Sequence, residues 1–373
     1  MYEKISEYPC ISISSSRNHS EVPERISRPY NKHIEYGLLD RCYMIPIKNT
    51  ILLLHSYFLI KYSSTTHIQK VKSTKDLKPR ELFQLGEDYD SVYMSEVSIF
   101  MPVEADYFSK DVYECALLAC GCTLEAVEHV ATNKVLPPGH HADTNSAMGY
   151  CYFNNVAIAA QIAQDKWGMK RVLIVDWDVH HGNGTQSLFE SDPSVLYFSM
   201  HEYHHGTFYP GSTIANYDVV GTGKGKGFNV NVPWNKFHMG DADYLAAFQH
   251  VLLPMAYEFD PDIVLVSAGF DSARGDPKGL CDVSPEGYCH LTNMLMSLAG
   301  GKVVVILEGG YNLTSVEESL CNCTSTLLGD PCPRLDGSQV PSKSAMESIR
   351  DVVNAHRPFW KAFEFVVKSI RAL

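Results

Sequence analysis

The stretch Val172 to Gly184, V-L-I-V-D-W-D-V-H-H-G-N-G, constrains this chain more than any other. Four apolar residues lead without a break into two carboxylates and two imidazoles, and the run then stops on glycines. A continuous apolar run of this length marks a parallel strand covered on both faces, and such strands present their chemistry at their carboxyl ends. Side chains alternate along a strand, so Asp176, Asp178 and His180 fall to one side while Trp177 and Val179 fall to the other. Carboxylates and an imidazole gathered on one side suit a divalent metal such as zinc, because burying them with neither a metal nor full hydrogen bonding is costly.

The same pattern recurs along the chain. Val195 to His201, Phe228 to Trp234, Asp262 to Asp271 and Lys302 to Tyr311 read as strands, with a further short strand at Asp88 to Met94. Helices are expected at Val112 to Val130, Gly149 to Ala163, Asp241 to Phe259, Ser284 to Ala299 and Leu313 to Leu328, and one or two more in the tail from Ser342. Alternating apolar strands and helices specify an α/β fold: a single domain whose mostly parallel, multi-stranded sheet is covered by helices on both faces. We place its boundaries at 19–335, with a poorly ordered lead-in over 1–18 and a helical extension over 336–373 packed on the domain. Three strands end in chemistry-bearing residues, at Asp176 to His181, at Asp271 and at Tyr311, and ligands of open α/β sheets bind beyond the carboxyl ends of the strands.

Composition excludes several classes of partner. With 31 basic against 43 acidic residues the net charge is −12, which leaves no electrostatic footprint for nucleic acid. The apolar run from Thr50 to Ile60 is too short to span a bilayer, and the first residues lack the basic-then-apolar order of a secretory signal, so no membrane partner is expected. Eleven cysteines without regular pairing fit a reducing compartment, cytoplasmic with access to the nucleus.

A catalytic zinc takes three protein ligands and keeps a fourth position open. Asp178 and His180 supply two, and Asp271, at the end of another strand, is the best third. Such a metal polarises an amide carbonyl and acidifies water. The loop L-P-P-G-H-H carries His140 and His141, a pair suited to taking that proton and returning one to the leaving amine. The phenol of Tyr311, after two glycines, can donate to an oxyanion.

Together P-P-G-H-H (137 to 141), G-Y-C-Y-F-N-N (149 to 155), D-W-D-V-H-H-G-N-G (176 to 184), S-A-G-F-D (267 to 271) and L-E-G-G-Y-N-L (307 to 313) resemble the zinc-dependent histone deacetylase family, whose members share the arginase/deacetylase fold. The resemblance runs in order from about His19 to Asp330. Asn183 and M-G-D-A-D-Y-L-A-A-F (239 to 248) look like class IIb, the branch of tubulin and polyamine deacetylases.

The resemblance implies zinc on Asp178, His180 and Asp271, catalysis by His140, His141 and Tyr311, and Asp176 orienting His140 while sharing a structural potassium site with Ser199. It implies an acetyl-lysine tunnel at Gly149, between Tyr150 and Tyr209, with Ser91 accepting the substrate amide N–H. Lys278 stands at the rim where the polyamine branch has Glu; a lysine there repels a polyamine cation and favours a carboxylate, as in the tubulin-deacetylase domains that prefer a C-terminal acetyl-lysine. The expected partners are acetylated proteins or peptides of tubulin-like or histone-like kind. Two alternatives stay open: a catalytically weakened domain that binds acetyl-lysine or protein partners, since Leu136 stands where the family has Arg before Pro-Pro-Gly, and an acetylpolyamine deacetylase.

Overall fold

The computed structural model describes residues 24–42, 65–76 and 138–364, together with the isolated positions 22, 81, 113, 116, 117, 119, 120 and 123. The expected strand at 88–94, Ser91, the lead-in 1–18 and Leu136 lie outside the described residues. So does most of the 112–130 stretch, whose described positions are helical.

Five strands, β1 (Val172–Asp176), β2 (Val195–Glu202), β3 (Asn229–Trp234), β4 (Ile263–Ala268) and β5 (Val303–Leu307), form one sheet in the order β3-β2-β1-β4-β5. Every pairing is parallel, and the register sets Asp176 beside Ser199 on one side and Ser267 on the other. The expected fold class is therefore the observed one. The chain builds outward from β1 to β2 and β3, then returns to add β4 and β5 on the opposite side. Between β1 and β4 the strand order reverses, and a crevice opens there at the carboxyl ends.

All five residues of β1 are buried because each face of the strand meets its own core. Leu173, Val175 and Trp177 face a large core shared with Phe198, Val230, Phe248 and Val266; Val172 and Ile174 face a second core with Val156, Ala159, Ala160 and Ile162. The second core is laid down mainly by α3 (Asn155–Trp167), which follows α1 (Glu24–Glu35) and α2 (Thr65–Ser73) in the described residues. Its buried alanines allow close approach to β1 and β4.

α3 begins six residues later than the sequence pattern predicted. Gly149 and Tyr150 adopt left-handed backbone (φ 55° and 65°), and Met148 and Cys151 exchange backbone bonds of 3.0 and 2.9 Å in a tight turn. Asn154 then caps the helix, its side chain accepting the Ala157 N–H at 3.0 Å.

The remaining helices, α4 (Asn183–Phe189), α5 (Asp241–Ala247), α6 (Leu253–Phe259), α7 (Pro285–Met296), α8 (Leu313–Leu327) and α9 (Lys343–His356), complete both layers. The helix expected over 241–259 is interrupted by a π turn at Phe248–Leu252, which absorbs Pro254. α8 packs against both α7 and α1, while α9 lies on β3.

Candidate functional site

Asp178, His180 and Asp271 meet in the crevice, each offering a ligand atom within 4.8 Å of the others. The first two leave the end of β1; the third leaves the end of β4. His180 Nδ1 lies 3.1 Å from Asp178 Oδ1 and 3.1 Å from Asp271 Oδ2. The carboxylates are aimed by backbone: Asp178 Oδ2 accepts the Gly309 N–H and Asp271 Oδ1 the Val179 N–H, both at 2.8 Å. Glycines at 269 and 309 admit them, since a Cβ on either would stand about 2 Å from a carboxylate oxygen (2.0 Å from Asp178 Oδ2 and 2.1 Å from Asp271 Oδ2).

Burial dominates the electrostatics here. It opposes ionisation of Asp178, yet His140 and His180 prevail and hold that carboxyl far below the usual range. Asp271 is pushed up by burial and by the charge of Asp178. Burial disfavours charge on His180 too, but its hydrogen bonds to Asp178 and Asp271 raise it to about 10. Two buried carboxylates converging on one imidazole nitrogen form a donor set that suits a divalent cation, so the residues present fit zinc.

The two loop histidines are held differently. His140 Nδ1 lies 3.0 Å from Asp176 Oδ2, whereas His141 Nδ1 lies 2.7 Å from Asn183 Oδ1. Against the burial penalty, the Asp178 and Asp176 carboxylates lift the affinity of His140 for its proton well above the ordinary value. His141, with a neutral amide behind it and cationic imidazoles nearby, is driven well below by burial and by their charge. The rings lie 4.1 Å apart, centroid to centroid. Asp176 is fully engaged, also accepting the Tyr197 hydroxyl at 3.0 Å and the Asp178 N–H at 3.2 Å. Ser199 sits beside it in register, with its hydroxyl 2.8 Å from His201 Nδ1.

Beside the histidines lie the residues expected to line a tunnel. Tyr209 meets His141 edge-on at 5.3 Å and His180 at 5.8 Å. Gly149 leaves His141 its place, since a Cβ there would be 2.4 Å from the imidazole. Tyr150 and Tyr311 pack edge to face at 6.2 Å, and the Lys278 ammonium lies 5.8 and 5.7 Å over their two rings and 3.3 Å from the Tyr150 hydroxyl. The structure thus gathers His140, His141, Asp176, Asp178, His180, Asp271, Gly149 and Tyr209 around one point, with Tyr150, Tyr311 and Lys278 at the rim. Ser91 lies outside the described residues.

Three residues here escaped the sequence reading. Glu308, at the end of β5, accepts the N–H of Gly139 at 2.5 Å and of His140 at 3.1 Å, and the Ser267 hydroxyl at 2.9 Å, so it anchors the histidine loop. Burial pushes its carboxyl up to about 7. Arg25 of α1 reaches the same segment from behind, donating to Glu308 O at 2.5 Å and Gly310 O at 2.7 Å. Asp276 bonds four backbone amides of the rim. A charge closing an apolar run, the signal used for Asp176, is equally present in V-V-V-I-L-E and could have found Glu308.

A profile of the histone deacetylase domain matches residues 19–327, and the chain belongs to that family. Its curated relatives include polyamine deacetylase HDAC10 of Danio rerio, 46% identical over 94% of this chain and 50% of the relative, and of Homo sapiens, 45% identical over 92% and 50%. Histone deacetylase HDA1 of Saccharomyces cerevisiae is 38% identical over 92% of this chain and 49% of its own. The chain spans about half the length of these relatives. Among solved structures, the crystal structure of the HDA15 HD domain superposes with a TM-score of 0.81 at 38% identity, covering 96% of this chain and 94% of that one.

Proposed function

We propose that this chain is a zinc-dependent deacetylase that hydrolyses the acetyl amide of acetyl-lysine in proteins or peptides. The observation that carries the reading is the convergence of Asp178, His180 and Asp271 at the crevice beside a histidine pair held by different partners, a carboxylate behind His140 and an amide behind His141. Asp178, His180 and Asp271 would hold the zinc, which when bound supplies a Lewis acid for the acetyl carbonyl and acidifies water.

The chain's own groups account for the proton transfers. Asn183 presents its oxygen to His141, so Nδ1 keeps the proton and Nε2 is left as an acceptor. A neutral imidazole in that place is a general base for water, and the proton it takes up is then available for return to the leaving amine. His140, whose proton the Asp178 and Asp176 carboxylates favour, would contribute positive charge where negative charge develops on the reacting carbonyl. The Tyr311 phenol is the donor for the same oxygen, and Gly149, Tyr150 and Tyr209 sheathe the lysine stem from water. A structural potassium ion beside Asp176 and Ser199 belongs to the same reading, as does a reducing location, cytoplasmic and nuclear.

Lys278 supports an acetylated peptide, above all one ending in a free carboxylate, over a polyamine. The names of the HDAC10 relatives favour the second reading, an acetylpolyamine deacetylase. Turnover of internal and C-terminal acetyl-lysine peptides and of acetylspermidine, with and without zinc chelation, tests both. We expect chelator-sensitive turnover that is fastest on the C-terminal peptide, and Lys278→Glu moves the preference toward the polyamine. Faster acetylspermidine cleavage by the unaltered protein overturns the peptide reading, and no chelator-sensitive turnover on any of them overturns the enzyme reading.

A further inference from the structure

The Tyr311 phenol and the Lys278 ammonium come from loops that follow two neighbouring strands, β5 and β4. One buried carboxylate joins those loops. Asp276, 4% exposed, accepts through Oδ2 the N–H groups of Tyr311 at 2.6 Å and Asn312 at 2.9 Å. Through Oδ1 it accepts those of Lys278 at 2.9 Å and Gly279 at 3.4 Å. Each oxygen therefore serves one loop. Resting on the role given to Tyr311 above, we propose that Asp276 is a positioning residue that fixes the catalytic phenol and the rim lysine in one relation to each other.

The geometry separates this from a general structural role. The two loops are clasped independently of Asp276, because the Asn312 side chain donates to Gly275 O at 2.8 Å and the Ser315 hydroxyl to Arg274 O at 2.9 Å. Asn312 also caps α8 through its own side chain. The contact would hold the loops together without the carboxylate; what the carboxylate adds is the direction of the Tyr311 backbone. A phenol oxygen sits at the end of a long rigid arm, so a small backbone rotation becomes a shift of about 1 Å, the scale at which rates fall on the order of a hundredfold. Asparagine cannot substitute for Asp276, since its one oxygen serves one loop and its NH2 group faces the donors of the other.

Asp276→Asn is therefore made in the unaltered protein and in Tyr311→Phe, with zinc content checked in each. In the unaltered protein kcat on an acetyl-lysine peptide is expected to fall roughly ten- to a hundredfold with KM unchanged. In the Tyr311→Phe background the same change costs little more, because the two substitutions act on one group. Unchanged kcat, or an equal loss with and without the phenol, overturns the proposal. If Asp276→Asn does not fold, Asp276→Glu, which keeps both oxygens and the charge but displaces them, replaces it, and full kcat there is equally fatal. If the unaltered protein shows no chelator-sensitive turnover, the functional reading fails by itself. Hydrogen exchange then decides the positioning role: loss of protection at the Tyr311 and Asn312 amides in Asp276→Asn supports it, and unchanged protection refutes it.

Discussion

Gly309→Ala places the sharpest demand on the metal centre. The added Cβ would stand 2.1 Å from Asp271 Oδ2 and 2.7 Å from Asp178 Oδ2. Ordinary non-bonded contacts to carbon are about 3.5 Å, so both carboxylates must move by the better part of an ångström or more. Moving them breaks the hydrogen bonds by which Val179 N–H holds one and Gly309 N–H the other, each at 2.8 Å. Overpacking costs about 1–3 kcal/mol, and breaking one charged hydrogen bond about 1.5–3 kcal/mol. With no ion bound a carboxylate can swing clear, whereas a ligating one cannot, so about 3 kcal/mol of this falls on zinc affinity, a loss of roughly a hundredfold. Competition with a chelating dye measures it without reference to turnover. Gly337→Ala is the control, as nothing lies within 4 Å of a Cβ there. Zinc affinity in Gly309→Ala equal to that of the control would show that Asp178 and Asp271 do not jointly hold the ion.

Glu308 provides a second, graded test. Glu308→Gln keeps an oxygen for the Gly139 and His140 amides and is expected to retain turnover, while Glu308→Ala strands those two amides and the Ser267 hydroxyl and destabilises the loop by about 3–9 kcal/mol, read as a lowered urea midpoint with impaired turnover. Stability should also depend on pH through His356, which burial at the end of α9 pushes down to about 4. Between about pH 6.5 and 4 the unfolded chain takes up a proton that the folded chain refuses, so stability is full above 6.5 and declines as pH falls, by about 3 kcal/mol in all. His356→Leu should flatten that decline in urea unfolding; an unaltered slope assigns it to other groups.

How much of this was legible in the sequence depended on whether the signal was local. β1 could be read from V-L-I-V because burial on both faces removes the need for alternation, and the order of strands and helices then specified a parallel sheet. Asp271 was legible for the same reason as Asp178, a carboxylate closing an apolar run. The start of α3 was not, because the left-handed backbone at Gly149 and Tyr150 makes a tight turn that leaves room for His141 rather than continuing the helix, and small residues on both sides concealed the break. Asp276 and Arg25 were hidden more deeply. The partners of Arg25 and two of the four partners of Asp276 are backbone groups far along the chain, and a backbone amide or carbonyl carries no sequence signature. The anchoring of the histidine loop by Glu308 is intermediate, visible as a residue type and invisible as a contact.

The reversal of strand order between β1 and β4 has a consequence for how the chain comes apart. Asp178 and Asp271 belong to opposite halves of the sheet, and the segment between them carries β2, β3 and the helices α4, α5 and α6. An ion held by both would close that segment into a loop, a clasp across the central seam of the sheet. Opening the seam must then release the ion, so occupancy should slow unfolding and shield the enclosed segment from proteases in proportion to free zinc. Without the ion, the seam between β1 and β4 carries clustered buried charge and is the natural place for the two halves to part.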